Sequence, residues 1–351
     1  MANSLAPRID RLESNTIING NFDFWQRGIG IHNSNGYGSA DRWQRQKTAP
    51  PAWEWNQSTD VPTLAQSGFQ STYSLLMDTT ASPGAVGASE ITQAQYRIEG
   101  YDFAKHLGNT FTICFWVKSA QARTCALAVR NGIFDRSYVS EYTIDAANTW
   151  EFKAIAVTHD GVGTWDVLNG IGATVILDYG SGTDKQTSSI DQWVAGNKTS
   201  TPNVDNILDN IANDVKIAQF QILPGDLTGI GVIPFRRAGR NIADELSMCQ
   251  RYFNKSYELD TAPGTATSTN NYIVRATATQ VAWITFPVTM RAIPTVVLYS
   301  NLNGQVGQWG SDGGVNRSCS ATSIANTGVG SQNDGSTTAI WRGHHTADAE
   351  L

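Results

Sequence analysis

Charged side chains are scarce in this chain of 351 residues, where Asp, Glu, Lys and Arg together make up 16% of the sequence. Long surface helices normally need many Lys and Glu, so this shortage argues against a mainly helical protein. The 32 glycines instead favour many turns between short strands. The formal net charge of -6 speaks against nucleic acid as the ligand, because clustered Lys and Arg drive phosphate binding.

Long apolar runs and paired cysteines are missing as well. No segment approaches the ~20 apolar residues of a transmembrane helix, and the opening MANSLAPRIDRLE lacks the apolar stretch of a secretory signal. The four cysteines form no CxxC pair and show no metal-ligand spacing. We therefore expect neither membrane insertion nor a cysteine-bound metal.

Catalytic motifs are also absent: the sequence contains no GxSxG, no HExxH and no phosphate-binding loop. A pair of carboxylates about 5–9 Å apart could hydrolyse a glycosidic bond, but spacing along a sequence does not give that separation. The adjacent His344 and His345 would point to opposite faces of a strand, so they would not share a metal ion. We expect no enzymatic activity. Four carboxylates near predicted strand ends are the residues that could contradict this: Asp135, Asp160, Asp166 and Asp178.

Alternating side chains are the main structural signal. In FTICFWVKS, residues 111–119, Phe111, Ile113 and Phe115 share one face of a strand, and Cys114 and Trp116 share the other. The first face belongs in a core, and the second is expected to be partly exposed. Similar runs recur between turn signals such as Asn-Gly and Asp-Gly. Their number and spacing predict an all-β, antiparallel jelly-roll β-sandwich.

Three domains are predicted from these patterns. Residues 1–14 show a short helical pattern that is too brief to be stable alone, which indicates an attachment or oligomerisation segment. Residues 15–255 form the sandwich and end in a helix near 241–253, whose apolar side chains share one face. Residues 256–351 are rich in Gly, Ser, Thr and Asn and predict a small C-terminal β domain that copies of the chain would help to stabilise.

Tryptophan is abundant, with 11 residues. An exposed indole can pack against the C–H face of a sugar ring while polar neighbours bind the hydroxyl groups. Cross-strand pairing and core packing are the competing interpretation for each tryptophan. Six tryptophans with polar sequence neighbours are the candidates for glycan binding: Trp53, Trp55, Trp116, Trp165, Trp193 and Trp309.

Several segments, taken in order, resemble a family of bacteriophage tail-fibre or receptor-binding proteins with a carbohydrate-binding-module-like jelly roll. They are INGNFDFWQRG, ADRW, FTICFWVKS, TWEFKAIAV, DVKIAQFQILPGD, PFRRAGRNIADELSMCQRYFNKS and HHTADAEL. The resemblance implies a homotrimeric virion protein, made in the host cytoplasm and located in the tail. It also implies attachment to other virion proteins through residues 1–14 and recognition of a host-surface glycan.

The same resemblance extends to modules that hold a structural calcium ion near their first strand. Asp23 matches the early acidic ligand of those modules, and calcium is the one cofactor that the resemblance suggests. The chain departs from the pattern at Gln219, where the modules place an Asp. Two rivals to a receptor-binding role remain open, namely a capsid decoration or head-fibre protein and a polysaccharide depolymerase.

Overall fold

A computed structural model describes residues 15–48, 53–81, 85–276, 281–333 and 339–351. The predicted attachment segment, residues 1–14, lies outside this range. The chain divides into two compact units. Of the described residues, the sandwich unit comprises 15–23, those within 30–241 and 351, and the C-terminal unit comprises 24–29 and those within 242–350. Each unit is described by itself below.

Strands account for most of the regular structure. In the sandwich unit they are β1 (Gly36–Tyr37), β2 (Trp43–Lys47), β3 (Trp53–Ser58), β4 (Ser74–Thr79), β5 (Thr92–Glu99), β6 (Thr110–Ser119), β7 (Arg123–Arg130), β8 (Arg136–Ile144), β9 (Glu151–Thr158), β10 (Ile171–Asp178), β11 (Gln192–Ala195) and β12 (Asp214–Pro224). In the C-terminal unit they are β13 (Phe253–Lys255), β14 (Tyr272–Ala276), β15 (Val281–Thr285), β16 (Thr295–Ser300), β17 (Gln308–Ser311), β18 (Asn316–Ala325), β19 (Gly328–Asn333) and β20 (Ala339–Asp348).

Helices are few and short. The α-helices are α1 (Leu64–Ser67), α2 (Gly100–Phe103) and α3 (Ile242–Gln250), and 3-10 turns cover Ala104–His106, Thr183–Lys185, Ile207–Asp209 and Thr228–Ile230. Helix α1 begins with a capping box, in which Thr63 and Gln66 exchange side-chain and backbone hydrogen bonds. The helix predicted near 241–253 corresponds to α3.

The sandwich unit is an antiparallel jelly-roll β-sandwich, as the sequence predicts. One sheet has seven strands in the order β1-β2-β5-β10-β7-β8-β11, and the other has five in the order β3-β4-β12-β6-β9. Aromatic side chains from the two sheets meet in the core: the ring centroids of Phe115 on β6 and Tyr142 on β8 are 5.2 Å apart, and those of Trp43 on β2 and Phe220 on β12 are 5.1 Å apart.

Strand β6 corrects one expectation. Its apolar face is buried in the main core, but the face carrying Cys114 and Trp116 is buried too. Cys114 packs with Leu223 and Ile233, and Trp116 packs with Trp150. Two satellite clusters therefore cover this face of the five-stranded sheet where an exposed surface was predicted. The chain that follows β12 supplies Ile233 to the first cluster, and the segment that leads into β9 supplies Trp150 to the second.

The C-terminal unit is built around β20, which pairs with β13, β14, β16 and β17. Its core contains Trp309 and Trp341 together with Ile284, Leu298 and Val329. The predicted domain boundary after residue 255 falls inside this unit. Because β13 pairs with β20, α3 and β13 belong with the C-terminal strands, and the division comes before Ile242.

Candidate functional site

Four of the six candidate tryptophans are not available to a ligand. Trp53 and Trp55 are 0% exposed, Trp116 is 5% exposed and Trp309 is 2% exposed. The prediction that these side chains form a binding surface is therefore wrong. Trp165 and Trp193 remain partly exposed.

The burial of Trp53 and Trp55 follows from strand geometry. The two residues are separated by Glu54 on β3, so both indoles point to the same face of the sheet. They pack edge-to-face at 5.5 Å between ring centroids, and Trp53 lies 6.2 Å from the ring of Tyr179. The polar side chain between them in the sequence points to the opposite face of the strand, so it does not indicate that the indoles are exposed.

Trp309 is buried for a related reason. A methyl group added to Gly343 on β20 would lie 2.2 Å from the Trp309 ring, so the indole occupies the space above that glycine. The ring belongs to the core cluster of the C-terminal unit, where Trp341 is 1% exposed. The many Gly, Ser and Asn residues near Trp309 in the sequence reflect turns around a core position.

The structure brings Trp165 and Trp193 together, although 27 positions separate them in the sequence. Their ring centroids lie 5.4 Å apart with an interplanar angle of 88°. The indole N–H of Trp193 donates to the carbonyl oxygen of Thr158 at 2.7 Å, and that of Trp165 donates to Val162 at 2.9 Å. Both indoles are therefore held in one orientation, with their polar atoms already bonded to the backbone.

His159 packs against both indoles. Its ring centroid lies 4.6 Å from Trp165 and 5.2 Å from Trp193. Its Nδ1 accepts backbone N–H groups from Gly108 at 3.1 Å and Gly161 at 3.0 Å, so the neutral ring carries its proton on Nε2. Burial, the largest influence, lowers the pKa of His159, and a neutral aromatic ring supports the indoles at pH 7.

Two further aromatic rings complete the cluster. Phe103 stacks on Trp165 at 5.4 Å with an interplanar angle of 26°. Tyr138 lies opposite Trp193 in the β8–β11 pairing, with their ring centroids 5.5 Å apart. Strand β11 ends the seven-stranded sheet and β9 ends the five-stranded sheet. The cluster therefore closes the open edge of the sandwich, where one side of each indole reaches solvent.

The loops beside the cluster are held by specific contacts. The buried Asn131 donates from Nδ2 to the carbonyl oxygen of Thr164 at 3.0 Å, and its Oδ1 accepts the N–H of Asp135 at 3.1 Å. Phe134 adopts a left-handed backbone conformation with φ 65°, which costs roughly 1–2 kcal/mol for a residue with a side chain. The guanidinium of Arg130 lies 4.1 Å from the centre of the Phe134 ring. This contact holds the strained turn in place.

A cavity of about 460 Å³ adjoins Trp165. Its volume falls in the range of about 300–1,000 Å³ that small-molecule sites occupy. Ile133 and Leu168 on its rim are 60% and 58% exposed. The Asp166 carboxylate accepts the N–H groups of Leu168 at 2.8 Å and Gly170 at 3.2 Å. The remaining lining residues are Gly132, Thr164, Val167 and Ile171.

The carboxylates singled out from the sequence are held by hydrogen bonds, and one of them is ion-paired. Arg136 forms an ion pair with Asp160. Burial alone would raise the pKa of Asp160, but its hydrogen bonds to Arg136 and to the N–H of Val162 hold the pKa below its ordinary value. Asp135 accepts from Asn131 at 2.5 Å, and the buried Asp178 accepts from Gln93 at 2.8 Å. Each carboxylate singled out from the sequence thus has a local hydrogen-bonding partner.

Asp23, the candidate calcium ligand, forms an ion pair with Arg237 and accepts from Asn21 at 3.0 Å. At Gln219 the side-chain amide nitrogen lies 3.0 Å from Ser67 Oγ, 2.8 Å from Ser71 Oγ and 3.3 Å from the Phe69 carbonyl oxygen. The uncharged side-chain amide of Gln219 is thus surrounded by oxygen atoms to which it can donate. Within the described residues, no group of three or more His, Cys, Asp or Glu side chains is arranged to hold a metal ion.

The C-terminal unit contains a larger cavity of about 590 Å³, lined partly by Arg27, Tyr299 and Asp348. The Arg27 guanidinium lies 3.8 Å from the centre of the Phe253 ring and forms ion pairs with Asp348 at 3.0 Å and Glu350 at 3.4 Å. The charged residues of this cavity are thus already bound to one another. We therefore consider it a weaker candidate for a binding site than the cavity beside Trp165. Across the described part of the chain, no helix is long and apolar enough to cross a membrane.

Comparisons with known proteins return structural similarity only. No family model and no curated protein matches the chain. Solved structures that are similar include TmCBM61 in complex with beta-1,4-galactotriose (11% identity, TM-score 0.31, 60% of this chain and 99% of that one). A putative sugar binding protein from Bacteroides thetaiotaomicron VPI-5482 is 10% identical with a TM-score of 0.34 over 60% of this chain and all of that one. The C-terminal family 22 carbohydrate binding module of Clostridium thermocellum Xyn10B is 13% identical with a TM-score of 0.31 over 60% and 98%.

Proposed function

We propose that the sandwich unit binds an oligosaccharide non-covalently on the surface formed by Trp165, Trp193 and the adjoining cavity. The observation that carries this proposal is the pairing of two partly exposed indoles whose N–H groups are already bonded to backbone oxygens. Such indoles offer a ligand only their apolar surfaces, which suit the C–H faces of sugar rings. No bond in the ligand is made or broken.

Rigidity supports this assignment. The indoles are backed by His159 and Phe103, so little side-chain entropy is lost when a ligand binds. Polar groups lie at the same cavity: the Thr164 hydroxyl and the Asp166 carboxylate belong to its lining and can bond with sugar hydroxyls. The exposed Ile133 and Leu168 on the rim favour a second candidate, an apolar protein partner.

The proposal extends to a biological role: a virion protein, in the tail fibre or receptor-binding apparatus of a bacteriophage, that attaches to host-surface glycans. The ordered sequence segments from INGNFDFWQRG to HHTADAEL support it. In a homotrimer that attaches to other virion proteins through residues 1–14, each weak site would be present three times, and avidity would raise the overall affinity. Capsid decoration and polysaccharide depolymerisation are the rival roles.

The binding test uses saturation-transfer NMR on the full chain with cellotetraose and β-1,4-galactotriose as probes. The sugars of these two probes differ in the configuration at C4, so a site that selects one stereochemistry is still detected. Trp165→Ala and Trp193→Ala should each weaken binding about tenfold or more, whereas Val162→Ala, which removes an exposed apolar side chain nearby, should not. Equal binding by all four proteins would refute the proposed site. Binding of a protein partner with no response to either sugar would support the apolar-partner candidate.

The biological role needs a separate test, in which purified protein competes with the parent particle for adsorption to host cells. Inhibition by the native chain and not by Trp165→Ala would support receptor binding. A folded oligomer that does not compete would favour a decoration protein. Release of new reducing ends from capsule or lipopolysaccharide would establish the depolymerase role.

A further inference from the structure

Trp283 is the most exposed tryptophan of the chain, with 52% of its surface accessible. It lies on β15, the last strand in its sheet of the C-terminal unit. Ile284, the next residue, is 1% exposed and points into the core, so Trp283 points outward from the opposite face of the strand. In the register of the three strands, Trp283 is opposite Gly330 on β19, and Gly330 is opposite Thr322 on β18.

The indole lies directly on the sheet. A methyl group added to Gly328 would be 2.8 Å from Cζ2 and 2.9 Å from Cε2 of Trp283. The six-membered ring of Trp283 therefore occupies the space beside this glycine. The indole is therefore partly covered at β19, and 52% of the residue's surface stays accessible. Any side chain at position 328 would lift the ring away from the sheet.

The surroundings of Trp283 are polar. On the same outward face the register places Thr285, Thr322, Ser320 and Gln332. The Thr322 hydroxyl oxygen is buried and has no hydrogen-bond partner among the described residues. One flat apolar ring surrounded by hydroxyl and amide groups matches a ligand with an apolar face and a polar edge.

We propose that Trp283 is the platform of a second glycan site, which stacks a single pyranose ring and uses the side chains around it to bind the sugar hydroxyls. The ligand class is that of the proposed function, but the site lies on the other unit and depends on different residues. Because the ring is flat, exposed and placed at a sheet edge, the site would accept an internal sugar of a long polysaccharide as well as a terminal one.

The test uses the full chain labelled with 5-fluorotryptophan, whose 11 indoles each give a separate ¹⁹F signal. Trp283→Phe assigns the Trp283 signal, and Trp165→Phe and Trp193→Phe assign the other two. Cellotetraose and β-1,4-galactotriose serve as probes. We expect the Trp283 signal to shift on addition of at least one probe, while the signals of buried indoles such as Trp53 and Trp55 stay in place.

Variants then separate the two sites. Trp283→Ala should abolish binding at the C-terminal unit and leave the shifts of Trp165 and Trp193 unchanged, and Ile293→Ala, an exposed apolar control, should change neither. A Trp283 signal that does not respond to either sugar overturns this inference even if Trp165 responds. A change of oligomeric state in Trp283→Ala also overturns it, because Trp283 would then be an interface between copies of the chain.

Discussion

The two units present tryptophan to solvent in opposite ways. In the sandwich unit, Trp165 and Trp193 stand edge-to-face in a cluster of aromatic rings beside a cavity. In the C-terminal unit, Trp283 packs beside a glycine on an outward face that also carries polar side chains. If both surfaces bind a ligand as proposed, the first arrangement would select it by shape, since a cavity limits what can enter. The second would offer an exposed ring with little steric selection.

Buried and partly exposed tryptophans should also differ in how much they contribute to the free energy of unfolding. Trp55→Ala should cost about 3–5 kcal/mol, because it removes a fully buried indole and leaves a cavity beside Trp53. Trp165→Ala removes a partly exposed ring and should cost less than half as much. Urea unfolding of the two variants, followed by circular dichroism, measures both values. Equal losses would mean that Trp165 is a core residue and not a binding residue.

Lowering the pH should destabilise both units, because each contains a buried neutral histidine. Burial lowers the pKa of His106 in the sandwich unit and of His345 in the C-terminal unit from 6.5 to about 3. Between these values the unfolded chain binds a proton that the folded chain does not. Stability is therefore fully present above pH 6.5 and falls as the pH is lowered towards 3.

At pH 5 each of these histidines should cost its unit about 2 kcal/mol relative to pH 7. Urea unfolding at the two pH values measures the loss. His106→Gln should reduce the pH dependence of the sandwich unit only, and His345→Gln that of the C-terminal unit only. If His106→Gln left the pH dependence of the sandwich unit as it is in the native chain, the assignment of the proton to His106 would be wrong.

In the proposed glycan site, Trp193 should matter for affinity more than for folding. Trp193→Ala should weaken oligosaccharide binding about tenfold, which corresponds to about 1.4 kcal/mol. Trp193→Phe should keep part of the affinity, because a smaller aromatic ring still packs beside Trp165 and Tyr138. Titration calorimetry on the two variants measures the difference. Identical affinities of the Ala and Phe variants would indicate that the aromatic face makes no contact with the ligand.

Much of this fold could be predicted from the alternation of side chains, and the site could not. The run 111–119 became β6, and its apolar face entered the core as expected. His344 and His345 also point to opposite faces, as strand geometry requires: His344 stacks on Tyr257 at 4.0 Å, and His345 lies 5.6 Å from Phe286.

The tryptophans show why the candidate site was harder to predict from the sequence than the fold. The repeat of Trp53 and Trp55 every second residue is itself a sign that both share a face, and that pattern would have predicted their burial. Trp165 and Trp193 lie in a turn-rich loop and on a short edge strand, and only the three-dimensional pairing of loop and strand brings them together. Trp283 alternates with the buried Ile284 and Phe286, so its outward direction was available from the sequence.

The smallest expected effect concerns Trp283 itself. Trp283→Ala should lower the stability of the C-terminal unit by only about 1 kcal/mol, the scale of a cross-strand side-chain contact, because half of the indole already faces water. Trp309→Ala in the same unit should cost about 3–5 kcal/mol, since it empties a core position. Urea unfolding of the two variants gives the comparison. A large loss for Trp283→Ala would mean that the sheet needs this ring for folding. A small loss combined with loss of the sugar-induced ¹⁹F shift would show that β15 carries an exposed indole for binding and not for packing.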